Sequence, residues 1–96
     1  MEVTINNRYE GGDFLATTEA YNMNGGFRKN PENGKVTQLN ASINEDDGQG
    51  GMTYIGSVYA NMSGDKLKYN LSEIDIENLA GVATAVVQLV GELETE

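Results

Sequence analysis

The densest set of hard oxygen ligands in the chain is Asn44-Glu45-Asp46-Asp47-Gly48. A calcium ion needs several such oxygens from one short loop, which makes this the first candidate site. Its spacing does not fit the twelve-residue helix–loop–helix site, and no Glu stands at that loop's closing position. A plain hairpin turn is the expected structure, with no metal ligands assigned. Fifteen Asp and Glu residues leave paired-carboxylate catalysis formally available. None of them lies in a stretch that reads as buried, and a two-layer domain of 96 residues offers little cleft. The chain has no Cys and no His. That removes thiol and disulfide chemistry, zinc sites of the usual ligand types and imidazole acid–base catalysis. No glycine-rich phosphate loop precedes a helix. The residue types therefore predict a protein that is not an enzyme and needs no cofactor.

Binding is the remaining kind of chemistry. Residues 23–35 place Phe27, Arg28 and Lys29 beside glycines, the one basic cluster in an acidic chain. A loop exposing an aromatic and an arginine is a plausible contact for a partner, and a Phe27 folded over a sheet end is the simpler alternative. Asn40-Ala41-Ser42, Asn61-Met62-Ser63 and Asn70-Leu71-Ser72 match the glycosylation triplet, but eleven Asn make chance matches ordinary. Net charge is −9 and unevenly distributed. Residues 1–44 hold five acids and four bases, a net of −1; residues 45–96 hold ten acids and two bases, a net of −8. Such a chain avoids phosphate backbones and acidic membranes, so neither direct nucleic-acid binding nor membrane binding is expected. Solubility is the simplest role for the acidity. The first twenty residues lack the apolar run of a signal peptide. Asn78, Gly81, Thr84 and Gln88 interrupt the most apolar stretch, so no membrane span is expected. A cytoplasmic location is the default expectation.

These residues must be positioned by one helix and a set of strands. Ser72-Glu73-Ile74-Asp75 reads as a helix start, with Ser72 capping the first turn. Leu79, Val82, Ala83, Val86, Val87, Leu89, Val90 and Leu93 follow at steps of three and four, the apolar face of an amphipathic helix over 73–94. Upstream, alternation predicts strands at 2–10, 13–23, 35–45, 52–62 and 66–72. The first carries Val3, Ile5 and Tyr9 on one side and Thr4, Asn6 and Arg8 on the other. Gly11-Gly12 is read as a two-residue hairpin turn, and residues 24–34 as the longest loop. Short connections between successive strands favour a meander. The expected fold is α+β: a five-stranded antiparallel meander sheet with one C-terminal helix packed on one face.

Two surfaces then stand out. In the second strand Phe14, Ala16, Thr18 and Ala20 are assigned inward, and Leu15, Thr17, Glu19 and Tyr21 outward. Leu39, Ala41 and Ile43 turn inward in the third. The fourth turns Tyr54, Val58, Ala60 and Met62 inward, with Thr53, Ile55, Ser57, Tyr59 and Asn61 outward. The last turns Leu67, Tyr69 and Leu71 inward. The uncovered sheet face then carries Leu15, Tyr21, Ile55 and Tyr59 among uncharged polar residues. The far side of the helix carries Gly81, Thr84, Ala85 and Gln88, small and uncharged where a solvated helix usually shows Lys and Glu. Both surfaces point to a small acidic protein–protein interaction module, with an unidentified protein or a second copy as partner. A nucleic-acid-mimicking inhibitor of a DNA- or RNA-handling protein, of the anti-restriction or anti-CRISPR kind, is the alternative in a different class. Its acids would be Glu45, Asp46, Asp47, Asp65, Glu73, Asp75 and Glu77. A structural subunit of a larger assembly is a third.

Overall fold

The computed structural model describes residues 1–95, with the side chains of residues 7–9 left aside. Six strands form one antiparallel sheet in chain order: β1 (Glu2–Tyr9), β2 (Gly11–Thr17), β3 (Tyr21–Lys29), β4 (Val36–Asp46), β5 (Met52–Ser63) and β6 (Lys66–Ser72). One helix follows, α1 (Ile76–Glu94). The class and meander are those expected; the strand count is six rather than five.

The sixth strand arises because residues 13–23 are two strands. Thr18 accepts hydrogen bonds at Oγ1 from the amides of Ala20 (3.3 Å) and Tyr21 (2.9 Å), and its own amide donates to the Tyr21 carbonyl. One hydroxyl thus reverses the chain without Gly or Pro. The reversal also resets the side-chain phase. Phe14 and Ala16 are buried and Leu15 is exposed, as expected, but Tyr21 is turned into the core at 9 % exposure.

The expected loop at 24–34 shrinks to residues 30–35, because β3 continues through both Gly25 and Gly26. A side chain at Gly25 would overlap the carbonyl oxygen of Asn40 on β4, so this close strand approach requires glycine. Phe27 consequently sits in mid-sheet, not in a loop. It is 3 % exposed and meets the Phe14 ring edge-on, with centroids 6.1 Å apart. Gly11 and Gly12 likewise belong to β2, and the first hairpin turns at Glu10.

Strand β4 keeps its expected phase, with Leu39, Ala41 and Ile43 buried. In β5 a bulge falls between the Ile43–Gly56 and Asn44–Tyr54 pairs. Beyond it the faces exchange: Ile55 packs against the core and Tyr54 is exposed at 52 %. The core combines Phe14, Ala16, Tyr21, Met23, Phe27, Leu39, Ala41, Ile43, Val58 and Ala60 of the sheet with Val82, Ala85, Val86, Leu89 and Leu93 of the helix. Val3 and Ile5 pack against its margin, while the faces read for Arg8 and Tyr9 fall outside the described side chains.

The helix begins four residues later than Ser72. Asp75 is its N-cap, accepting at Oδ2 from the Asn78 amide at 3.2 Å. Glu73, at φ 67°, turns the chain between β6 and α1. Three long-range hydrogen bonds fix the helix on the sheet. Tyr21 Oη donates to Asn78 Oδ1 at the first turn (2.8 Å), and Lys29 Nζ donates to the Leu93 carbonyl at the last (2.9 Å). The Val36 amide donates to Glu94 Oε2 at 2.9 Å. A cation at the helix C-terminus also suits the helix dipole. By length and composition α1 is apolar enough to cross a bilayer, contrary to expectation, although a helix packed on a sheet meets the same measure.

Candidate functional site

The residues expected to form binding surfaces are scattered by the fold. Leu15 and Tyr59 lie on the uncovered face at 43 % and 46 % exposure, and Arg28 is exposed there too. Tyr21 and Phe27 are core residues, and Ile55 is half-buried on the helix side. On the helix, Gly81, Thr84 and Gln88 are exposed as expected, whereas Ala85 is buried at 5 %. Ala85 falls on the sheet-facing stripe with Val82 and Leu89, one turn on either side of it. Gly81 is not bare surface for a partner, because the Tyr21 hydroxyl lies 2.7 Å from where its Cβ would be.

The uncovered face is polar. Cross-strand rows run Leu15–Asn24–Ser42–Ser57 and Asp13–Gly26–Asn40–Tyr59–Asn70. Gly26 leaves a shallow depression of about 640 Å³ between Asp13, Asn24, Arg28, Gln38 and Asn40. The Asn40 carboxamide oxygen accepts from the Gly26 amide at 3.1 Å, and Gln38 Nε2 contacts Tyr59 Oη at 3.4 Å. A wet polar face of this kind is ordinary for an antiparallel sheet with one layer of helix.

The apolar surface lies elsewhere, on the flank of α1 that leans toward β6. Ile76 is 84 % exposed, Val87 67 % and Leu79 42 %. At 100° per residue these three, with Ala80, Ala83 and Val90, occupy one arc beside the buried stripe of Val82, Val86, Leu89 and Leu93. The sheet covers only part of the helix's apolar arc. Between this flank and β6 runs an apolar groove of about 260 Å³, lined by Ala60, Leu67, Tyr69, Val86, Val87 and Val90. Tyr69 forms its rim at 46 % exposure. Strand β6 is also a sheet edge, paired only with β5.

No protein-family model, no curated protein and no solved structure matches this chain. What it does must be argued from its own surfaces.

Charge is arranged along the molecule. Glu2, Glu19, Glu45, Asp46, Asp47, Glu73, Asp75 and Glu77 all lie at the sheet end where α1 begins. Among the described side chains the cations Arg28, Lys29, Lys35, Lys66 and Lys68 lie toward the opposite end, where α1 finishes, and there they are nearly balanced by Glu10, Asp13, Glu32, Asp65, Glu92 and Glu94. Two of the acids are engaged by their own turn. Asp46 Oδ1 accepts from the Gly48 amide, and Asp47 Oδ1 from the amides of Gln49 and Gly51. These bonds define the turn expected of the 44–48 stretch. Among the described residues no group of three or more His, Cys, Asp or Glu is placed to hold a metal.

Two titratable groups are displaced, and both serve the helix–sheet junction. Burial raises the Tyr21 phenol above its ordinary value, with the negative charges of Glu45 and Asp75 adding to it. The side-chain hydrogen bond from Asn78 lowers Asp75, as do backbone amides of the first turn. The N-cap role of Asp75 accounts for its shift without any reaction.

Proposed function

We propose that this chain is a non-enzymatic protein–protein interaction module that binds through the apolar flank of α1 and the adjoining groove. One observation carries the reading: Ile76, Leu79 and Val87 stand exposed on one helix flank beside an apolar groove. Contiguous apolar surface of this kind marks contact sites on small domains, since leaving it in water is costly. The test is site-directed photocrosslinking in native host extract. A photoreactive side chain at Val87 is expected to capture protein, while the same group at Asn24 on the polar face sets the baseline. Equal capture at both positions would sink the reading.

A second reading rests on the acidic end. Eight carboxylates gathered at one end could occupy the basic groove of a nucleic-acid-handling protein. That mode predicts capture of such a protein that weakens with salt and with Asp46→Lys plus Asp47→Lys, and is indifferent to Val87→Glu. The apolar flank is preferred, because acids at turns and at a helix start already have local roles.

A further inference from the structure

We infer that the occupant of the α1–β6 groove is the first turn of α1 from a second copy of this chain, in an antiparallel two-fold pair. This rests on the interaction reading above and names the partner. The groove lies along the C-terminal half of α1, where Val86, Val87 and Val90 meet Leu67 and Tyr69. The most exposed large apolar residue is Ile76, at the opposite end of the same flank. The two features are fourteen residues apart in the sequence, about 21 Å along a helix, so one copy cannot bring them together. An antiparallel pair can. With the two-fold axis at Ala83, Ile76 meets the partner's Val90 and Leu79 meets the partner's Val87. Ile76 then enters the partner's groove while the partner's Ile76 enters the first. Interfaces of this kind are self-complementary by symmetry, and each contact is made twice.

Two further observations select this arrangement. Ala80 and Ala83 are small at the centre of the flank, as close approach of two helix axes to about 8–10 Å requires. The charge polarity selects the direction. A parallel pair would set two ends of eight carboxylates side by side, and it would oppose Ile76 to its own copy with both grooves empty. The antiparallel pair keeps the two acidic ends apart and sets each beside the other copy's nearly balanced end, where Lys29, Lys35 and Lys66 stand among Glu32, Asp65, Glu92 and Glu94.

Sedimentation velocity from about 10 μM to about 1 mM tests the pair over the range of weak self-affinities. The mass is expected to move from one chain of 10.4 kDa toward twice that value. Val87→Glu, at an exposed position that the fold does not need, should raise the midpoint at least tenfold; Thr84→Glu on the far side should leave it unchanged. Ala83→Cys in this cysteine-free chain should oxidise to a disulfide-linked dimer much faster than Gly91→Cys. A clean monomer at the highest concentration overturns the inference, as do equal oxidation rates or a dimer insensitive to Val87→Glu. A monomer whose Val87 photocrosslinks other proteins overturns only the second copy as occupant. A monomer that crosslinks nothing above the Asn24 baseline ends the interaction reading as well.

Discussion

The Tyr21 hydroxyl and the Asn78 carboxamide oxygen meet at 2.8 Å across 57 residues of chain, joining the first residue of β3 to the first turn of α1. Asn78 is held from its other side, since its Nδ2 donates to Asp75 Oδ1 at 2.8 Å. The helix start is thus keyed to the sheet by a short polar chain at the edge of the core.

Tyr21→Phe removes the hydroxyl and leaves the ring. The expected cost is about 1 kcal/mol, typical of one part-buried hydrogen bond, read from urea unfolding at neutral pH. A second effect appears in alkali. The folded phenol ionises above its ordinary 10.0, so the unfolded chain loses that proton first. The contribution is complete below pH 10 and is lost as pH rises through the folded value. The Phe variant should therefore show a shallower alkaline decline than the parent. Identical slopes would contradict the assignment.

Gly81→Ala normally favours a helix by up to about 1 kcal/mol. Here the new methyl would lie 2.7 Å from Tyr21 Oη, so a net loss of stability is expected instead. In the Tyr21→Phe background the nearest ring atoms are 3.3 and 3.5 Å away, and the same substitution should become stabilising. The sign change, measured as a double-mutant cycle, is the result to look for.

The adjacent glycines of β3 separate two uses of the residue. Gly25→Ala would drive a methyl into the Asn40 carbonyl and should cost about 3 kcal/mol or more. At Gly26 the nearest atoms are 3.6 Å away, so Gly26→Ala should be neutral or stabilising by about 0.5 kcal/mol through reduced chain entropy. Thermal unfolding of the two variants side by side decides it; similar losses would show that β3 does not sit as close to β4 as described.

Acid should loosen the helix start. The folded Asp75 carboxyl titrates below its ordinary 3.8, so its contribution is present above that value and is lost as pH falls through the folded one. Asp75→Asn keeps a capping oxygen without the titration. Helical circular dichroism followed from pH 6 to about pH 2 should decline less steeply for this variant, and superimposable curves would remove Asp75 as the cause.

Much of this architecture was legible because it depends on local alternation. The 66–72 strand has its expected bounds, and the inward set Leu39, Ala41 and Ile43 follows from period two alone. The departures depend on partners distant in sequence or on single atoms. Thr18 turns the chain with one hydroxyl, in a stretch with no turn residue to announce it. Gly25 belongs in a strand because Asn40, fifteen residues on, passes close beneath it. The Ile55–Gly56 bulge exchanges faces that alternation alone would carry straight through. The exposed apolar surface lies away from its expected place for a related reason. Apolar spacing gives the width of the helix's apolar arc, but only the sheet determines how much of it is covered. Val82, Ala85, Val86, Leu89 and Leu93 are covered, while Ile76, Leu79 and Val87 are not.

The meander has a consequence for how the molecule assembles. Within the sheet each strand pairs with its neighbours in the chain, so the sheet can grow hairpin by hairpin with short loop closures. The contacts Tyr21–Asn78, Lys29–Leu93 and Val36–Glu94 instead span 57 to 64 residues, and they need β3 and β4 in place first. On a ribosome the strands emerge before the helix. The helix would then act as a latch, closing last over a surface that until then lies open to chaperones and to other nascent chains.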